Sequence, residues 1–186
     1  RDIYFVPVVS PDTYTSNRNI KNIDPNRDFP TPKDPNHESI VPIKELQELF
    51  LSIRPDAVLS GHTFGRLYLY PYGDNTKKCP DYEEYIRISN KMAELSNYQS
   101  KPCYRLYKKP ISGTEMDWYY RNGSFAMVVE FGTHQNKPTQ KQIQREFERT
   151  WDAFKFFLKE APLVYIKCGS NNNINFFVVN AGIDPD

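Results

Sequence analysis

The sequence predicts an α/β domain built on a mixed, mainly parallel sheet with helices on both faces. Short apolar runs typical of buried strands recur along the chain. Longer segments with apolar residues at helical spacing lie between them. Strands that alternate with helices in this way form sheets that are covered on both sides. A chain of 186 residues is long enough to bury one core of this kind.

The first half of the chain is predicted to contain three strands, one long loop and one helix. Residues 3–9 form a near-continuous apolar run, which predicts a strand buried on both faces. Residues 10–37 are rich in Pro, Asn and Asp without periodicity, and so long a loop is more often functional than decorative. A helix is predicted over residues 42–53, followed by strands at residues 56–63 and 67–72.

The second half is predicted to continue the alternation of helices and strands. A capping-box-like start predicts a helix over residues 81–96. A short strand is predicted at residues 104–108 and a buried strand at residues 124–131. A long helix follows over residues 139–159. One face of it carries the apolar residues Ile143, Phe147, Trp151, Phe154 and Leu158.

The end of the chain differs from the rest and predicts a domain boundary. Two strand-like runs flank the segment Gly-Ser-Asn-Asn-Asn at residues 169–173, which is a hairpin signature. We therefore predict one domain over residues 1–161 and a β element over residues 162–186. The β element is either a terminal extension or the start of a C-terminal β domain.

Composition argues against two classes of partner. The 24 basic and 23 acidic residues nearly cancel, so the sequence suggests neither nucleic acid nor an anionic membrane as a partner. No apolar run approaches the ~20 residues of a membrane span. Cys79, Cys103 and Cys168 are too few and too scattered for a metal cluster, which leaves one disulfide or three free thiols.

A histidine motif gives the strongest functional signal. His62 lies in Ser-Gly-His-Thr-Phe at the end of a predicted strand, and Pro-Tyr-Gly follows at residues 71–73. Asp-Pro-Asn-Arg-Asp-Phe-Pro precedes it at residues 24–30, and Ser-Gly-Thr-Glu-Met-Asp-Trp follows at residues 112–118. A lone histidine at a strand end is usually no metal ligand. With these neighbours, however, the order and spacing from about residue 2 to residue 160 resemble the zinc carboxypeptidases of the carboxypeptidase A type.

The resemblance implies a zinc site to which this chain contributes one ligand. His62 corresponds to the family's third zinc ligand, and a catalytic zinc takes three protein ligands and a water. The other two family ligands, in a His-x-x-Glu motif, have no counterpart in this sequence. We therefore expect the chain to begin within a catalytic domain, with the missing ligands upstream of Arg1.

The resemblance also implies a general base, Glu130. This residue follows a buried apolar run. A carboxylate in an apolar setting holds a proton more readily than one in water, which suits acid–base work near neutral pH. A glutamate that simply reaches solvent at a strand end is the ordinary alternative. The family's base, which deprotonates a zinc-bound water, occupies this position.

The resemblance further implies a carboxylate clamp. Asn26 and Arg27 correspond to the two carboxypeptidase residues that bind the substrate's terminal carboxylate through charge-assisted hydrogen bonds. Arg18 fits the arginine that stabilises the oxyanion, although an exposed loop residue is an equal alternative. Lys109 stands where the family has a tyrosine that covers the substrate; a lysine could meet the same carboxylate, and Tyr107 is another candidate.

Two further residues are expected to contact substrate. In the resemblance, Met116 aligns with the base of the specificity pocket and favours an apolar C-terminal side chain, whereas neighbouring Glu115 is charged and argues against this. Phe64 follows the histidine motif and is expected in the substrate site. The resemblance also implies non-proline cis peptide bonds at Thr63-Phe64 and Pro71-Tyr72.

The sequence thus predicts a zinc metallocarboxypeptidase that hydrolyses C-terminal peptide bonds, with a secreted or periplasmic location favoured by the resemblance. The substrate is a peptide with a free C-terminal carboxylate, from a protein or from a cell wall. This chain alone should bind zinc weakly and lack activity. The alternative is a non-catalytic peptide-binding domain that keeps the carboxylate clamp without metal. A serine hydrolase using Ser60 or Ser112 is more distant, since neither lies in a nucleophile-elbow sequence.

Overall fold

The structure, a computed structural model, describes residues 2–11, 20, 22–107, 109–133 and 138–162. Arg18 lies outside these residues, so the prediction for its role is not addressed by the structure. The same holds for almost all of the predicted β element over residues 162–186, of which the structure describes only Pro162.

A four-stranded sheet lies at the centre of the described part of the chain. Its strands are β1 (Ala57–Thr63), β2 (Leu67–Tyr70), β3 (Gln99–Pro102) and β4 (Phe125–Phe131). The spatial order is β1-β4-β2-β3. β1 is parallel to β4 and β2 is parallel to β3, whereas β2 and β4 are antiparallel. The sheet is therefore mixed and mainly parallel, as predicted.

Four α-helices accompany the sheet in the residues described: α1 (Val41–Ile53), α2 (Tyr82–Ser96), α3 (Glu115–Arg121) and α4 (Gln140–Glu160). α1 begins at Val41 with Pro42 in its first turn, where a missing N–H costs no hydrogen bond. α4 begins with a complete capping box, in which Thr139 and Gln142 satisfy each other's backbone N–H groups.

The helices cover both faces of the sheet. Alternate residues of a strand point to opposite faces, so Phe125 and Phe131 of β4 share one face and Glu130 points to the other. Phe125 stacks on Tyr85 of α2 with the ring centroids 4.1 Å apart, and Phe131 contacts Phe154 of α4. On the other face, β1 meets the beginning of α3. The predicted two-sided cover is confirmed.

Aromatic side chains dominate the core on the α3 side. Phe50 of α1 stacks on Tyr119 with the centroids 4.8 Å apart and meets Trp118 edge-on at 5.1 Å. Phe29 packs against the same two rings. Aromatic pairs of this kind contribute about 0.5–1.5 kcal/mol each beyond the area they bury. The cluster fixes the long loop against α1 and α3.

The prediction of a strand at residues 3–9 is wrong. These residues form no strand, and their apolar side chains are exposed, with Phe5 83% exposed. Strand formation needs a hydrogen-bonded neighbour as well as apolar side chains, and Pro7 lacks an N–H to donate. β1 consequently pairs with β4, as predicted, but not with this segment.

In the second half of the chain, one predicted strand is displaced and one helix was not predicted. The strand expected at residues 104–108 lies earlier, at Gln99–Pro102, and a 3-10 turn at Cys103–Arg105 follows it. α3 was not predicted at all. No helix in the described residues is both long and apolar enough to cross a membrane.

Candidate functional site

His62 and Glu130 lie side by side at the carboxyl ends of two parallel strands. They are directly paired residues in the β1–β4 ladder, so their backbones are about 5 Å apart and their side chains share one face. Glu130 is buried, and the His62 side chain is 28% exposed. The prediction that these two residues converge at one edge of the sheet is confirmed.

The backbone on either side of β2 has the geometry that the resemblance implied. The peptide bonds Thr63-Phe64 and Pro71-Tyr72 are both cis. Phe64, predicted to contact substrate, follows directly on β1 and is 45% exposed. It is therefore accessible beside His62.

The loop that carries the predicted carboxylate clamp is held by its own side chains. The Asp24 carboxylate accepts a hydrogen bond from the backbone N–H of Asn26 at 3.0 Å, which caps the turn Pro25–Arg27. The Arg27 guanidinium donates to the carbonyl oxygen of Asn26. The turn therefore presents Asn26 and Arg27 in a defined conformation rather than as parts of an irregular loop.

The orientation of the Asn26 amide follows from its partner. The backbone N–H of Glu115 donates to Asn26 Oδ1 at 3.0 Å. A backbone N–H is only a donor, so the oxygen must occupy that side, and the amide NH₂ points elsewhere. The amide thus has its donor group available for a carboxylate, which is the role predicted for Asn26.

Gly113 allows the clamp loop to lie against the segment before α3. A Cβ placed on Gly113 would stand 2.3 Å from the carbonyl oxygen of Arg27, and the glycine has φ = +74°. Phe29 N–H donates to the Gly113 carbonyl at 3.1 Å. Only glycine combines this backbone conformation with so close an approach.

Buried Asp28 and half-buried His37 form a polar cluster behind the clamp. Asp28 accepts hydrogen bonds from the backbone N–H of Ile40 at 2.6 Å and pairs with His37 Nε2 at 2.8 Å. The hydrogen bond with Asp28, together with the charges of Asp28 and Asp34, raises the pKa of His37 above its usual 6.5. The cluster ties the end of the loop to the start of α1.

The first turn of α3 places two carboxylates in the site. Glu115 Oε1 lies 2.5 Å from His62 Nε2, and Glu115 is only 8% exposed. Asp117 accepts hydrogen bonds from the backbone N–H groups of Gly73 and Asp74. Burial, with the charge of Asp74, raises the pKa of Asp117 to about 6. Asp117 thereby joins α3 to the turn that follows β2.

The remaining predicted substrate residues lie in different environments. Met116 is 2% exposed and belongs to the core, as a pocket base requires. Lys109 is exposed. The guanidinium of Arg27 lies 5.9 Å from the ring centroid of Tyr107, so Tyr107 is an aromatic residue beside the clamp.

Of two cavities on the described surface, the smaller belongs to this site. A cavity of about 190 Å³ is lined by Arg27, His37 and Gly113 among others. A larger one of about 520 Å³ lies between the end of β4 and α4, against Phe131 and Phe147. Phe131 points away from the face that carries Glu130, so the larger cavity is not part of the site.

Within the described residues, His62 has too few neighbours to complete a metal site. No group of three or more His, Cys, Asp or Glu side chains in that part of the chain could hold a metal ion. Cys79 and Cys103 are free thiols, and burial raises their pKa to about 11 and about 12. They are therefore protonated at neutral pH.

Two contacts of the site were not predicted from the sequence. One is the bond between Glu115 and His62, for which the acidic residue next to the expected pocket base was the available signal. The other is the pair between His37 and Asp28, because an acidic residue nine positions earlier gave little reason to expect it.

Comparison with known proteins places these observations in a family. The parallel strand pair that brings His62 and Glu130 together is the arrangement that the resemblance to zinc carboxypeptidases implied. The family model for zinc carboxypeptidases matches residues 1–153. The chain belongs to the zinc carboxypeptidase family.

Curated relatives and solved structures agree with this assignment. The chain is 31% identical to carboxypeptidase A4 of Mus musculus over 109 residues, which are 53% of this chain and 26% of that protein. It is 26% identical to carboxypeptidase A2 of Mus musculus over 201 residues, covering 85% of this chain and 48% of that protein. This chain thus spans about half or less of these relatives.

The structural neighbours establish the fold. Carboxypeptidase A from Helicoverpa armigera superposes with a TM-score of 0.61 at 15% identity, over 73% of this chain and 41% of that chain. Bovine thrombin-activatable fibrinolysis inhibitor, in complex with tick carboxypeptidase inhibitor, superposes with a TM-score of 0.62 at 15% identity. The match covers 73% of this chain and 55% of that chain. Both confirm a carboxypeptidase-like α/β fold over part of the domain.

Proposed function

We propose that this chain is part of a zinc-dependent metallocarboxypeptidase, which hydrolyses the C-terminal peptide bond of its substrate. The observation that carries the proposal is the pairing of His62 with Glu130 on one face of the sheet, with Asn26 linked to the same site through Glu115. A carboxylate clamp alone would need neither His62 nor Glu130.

His62 is the residue of this chain that would hold the metal. A neutral imidazole is a good zinc ligand. The described residues supply no complete ligand set, so the other ligands must come from residues that the structure does not describe or from a longer polypeptide. When bound, zinc supplies Lewis acidity that polarises a water and a carbonyl.

Glu130 is proposed as the general base and then the general acid. Glu130 is 9% exposed and is paired with His62 across the two strands. A buried carboxylate in this position can take a proton from a water molecule and give it to the leaving amine. Arg18 is proposed to stabilise the oxyanion, which rests on the resemblance alone.

Asn26 and Arg27 are proposed to bind the terminal carboxylate of the substrate. The Asn26 NH₂ and the Arg27 guanidinium are both donors, and two such donors can grip a carboxylate in one orientation. Tyr107 or Lys109 would complete the grip. Buried Met116 favours an aromatic or aliphatic C-terminal residue, and a cell-wall peptide would use the same clamp. A secreted or periplasmic location fits this function.

Two experiments test the proposal. Equilibrium dialysis of the 186-residue chain should show weak zinc binding, because one imidazole leaves the other positions to water. A longer polypeptide that includes the upstream coding sequence should bind zinc tightly and cleave C-terminal residues. In that polypeptide Glu130→Gln should abolish turnover while zinc stays bound. Stoichiometric tight zinc in the short chain would contradict the proposed ligand set.

A second candidate function is a metal-free peptide-binding domain. The lack of a three-ligand cluster in the described residues favours it. It predicts that peptides with a free C-terminal carboxylate bind the short chain and that Arg27→Ala weakens this binding. It also predicts that the longer polypeptide binds no zinc, which separates it from the first candidate.

A further inference from the structure

A buried carboxylate lies against the imidazole of the proposed metal ligand. Glu115 Oε1 is 2.5 Å from His62 Nε2, and the side chains are 10% and 28% exposed respectively. The two residues are 53 positions apart in sequence. The contact is therefore a product of the tertiary fold, formed where the first turn of α3 meets the end of β1.

The chemistry of this contact determines which ring nitrogen can bind a metal. A carboxylate accepts hydrogen bonds, so a neutral His62 that bonds to it through Nε2 carries its hydrogen on that nitrogen. In a neutral imidazole the lone pair is then on Nδ1. A carboxylate partner of this kind fixes the tautomer and the orientation of a ligating histidine and raises its basicity.

Glu115 is itself held in place from two directions. Its backbone N–H donates to Asn26 Oδ1 at 3.0 Å. It is the first residue of α3, whose N-cap Thr114 accepts a hydrogen bond from the N–H of Asp117. One residue thus connects the carboxylate clamp to the metal ligand, through its main chain on one side and its side chain on the other.

We propose that Glu115 is a positioning residue, which holds His62 as the Nε2–H tautomer and directs Nδ1 to the metal. The proposal rests on the proposed function in so far as His62 binds a metal. The pairing itself, however, can be tested in this chain without any metal.

The test is ¹⁵N NMR of the histidine side chains in the labelled 186-residue chain, above the pH at which imidazole is protonated. In the wild type, Nε2 of His62 should carry the hydrogen, and slow exchange with water should make this hydrogen visible. Glu115→Ala should lose the signal to water exchange. Glu115→Gln should retain it, because its amide oxygen can still accept.

Two controls accompany these variants. The His37–Asp28 pair is an internal reference, since its Nε2 contact should be unchanged in both Glu115 variants. Glu94→Ala removes a carboxylate whose side chain is 68% exposed and should leave the His62 signal as in the wild type. Backbone amide spectra establish that each variant is folded.

Each result has a defined meaning. An Nδ1-protonated His62 in the wild type would overturn the proposal even if no variant folds, and so would a protected Nε2 hydrogen that persists in Glu115→Ala. In the longer zinc-binding polypeptide, Glu115→Ala should weaken zinc about 10- to 100-fold, with Glu115→Gln closer to the wild type. If that polypeptide binds no zinc while the NMR result holds, the proposed function fails and the pairing stands.

Discussion

Replacing Gly113 by alanine should destabilise the fold at the point where the clamp loop contacts α3. The new Cβ would lie 2.3 Å from the carbonyl oxygen and 2.6 Å from the carbonyl carbon of Arg27. These are main-chain atoms, which cannot move away as the end of a flexible side chain can. The substitution must therefore separate the loop from the segment before α3.

The size of the effect follows from two contributions. An alanine at φ = +74° costs about 1–2 kcal/mol, since left-handed backbone is unfavourable for any residue with a Cβ. The steric overlap adds about 1–3 kcal/mol, as is usual for overpacked sites. The unfolding free energy of Gly113→Ala should therefore fall by about 2–5 kcal/mol.

Gly132 provides the matched control. It has φ = +66°, and no described atom lies within 4 Å of the position of its Cβ. Gly132→Ala should thus show the backbone cost of about 1–2 kcal/mol alone. The two variants are compared by urea unfolding, where a difference of about 2 kcal/mol shifts the midpoint by about 1 M. Equal losses in the two variants would refute the argument from close approach.

Three further predictions concern individual contacts. Because its pKa is raised above 6.5 by Asp28, protonated His37 should stabilise the fold. This contribution is complete below pH 6.5 and lost as the pH rises through the folded-state pKa, so unfolding curves of His37→Ala and wild type should converge at alkaline pH. Tyr85→Phe should cost about 1–3 kcal/mol in chemical unfolding, because the buried N–H of Ala126 donates to the Tyr85 hydroxyl at 3.0 Å. Thr139→Ala should remove the N-cap of α4 and lower the thermal midpoint, at a cost of about 1 kcal/mol.

Opposite outcomes would contradict these arguments. A stability difference for His37→Ala that grows with pH would mean that the neutral imidazole is the stabilising form. An unchanged midpoint for Tyr85→Phe would show that Ala126 has another acceptor. A neutral Thr139→Ala would mean that the beginning of α4 contributes nothing to stability.

The sequence was sufficient to predict the part of the site that lies on strands. His62 and Glu130 each end an apolar run, and parallel strands bring their carboxyl ends to the same edge of a sheet. The two apolar runs, each ending in a polar residue, were therefore enough to predict that these side chains lie close together. The contact between Glu115 and His62 was not predictable in this way, because it depends on how a short helix is oriented against a strand.

α3 was missed because its sequence is a poor predictor of a helix. Trp118, Tyr119 and Tyr120 have only moderate helix propensity. The segment forms a helix because Thr114 caps it and because its aromatic rings pack in the core. Tertiary packing, which periodicity does not reveal in a segment of seven residues, decides its conformation.

The long helix α4 was predicted correctly, but the side that it buries was not. Four of the five apolar residues on the expected face are between 41% and 50% exposed: Ile143, Phe147, Trp151 and Leu158. The buried residues are instead Thr150, Ala153 and Phe157. Hydrophobic periodicity identifies an apolar stripe, but the position of the neighbouring elements determines which residues are covered.

β1 pairs with only one neighbour in the described part of the chain, and this has a consequence for how the protein must be handled. The outer side of its seven residues presents N–H and C=O groups to any extended segment, including another copy of the same chain. Such pairing would act on the strand that carries His62. Zinc binding by His62 should therefore be measured over a range of protein concentrations.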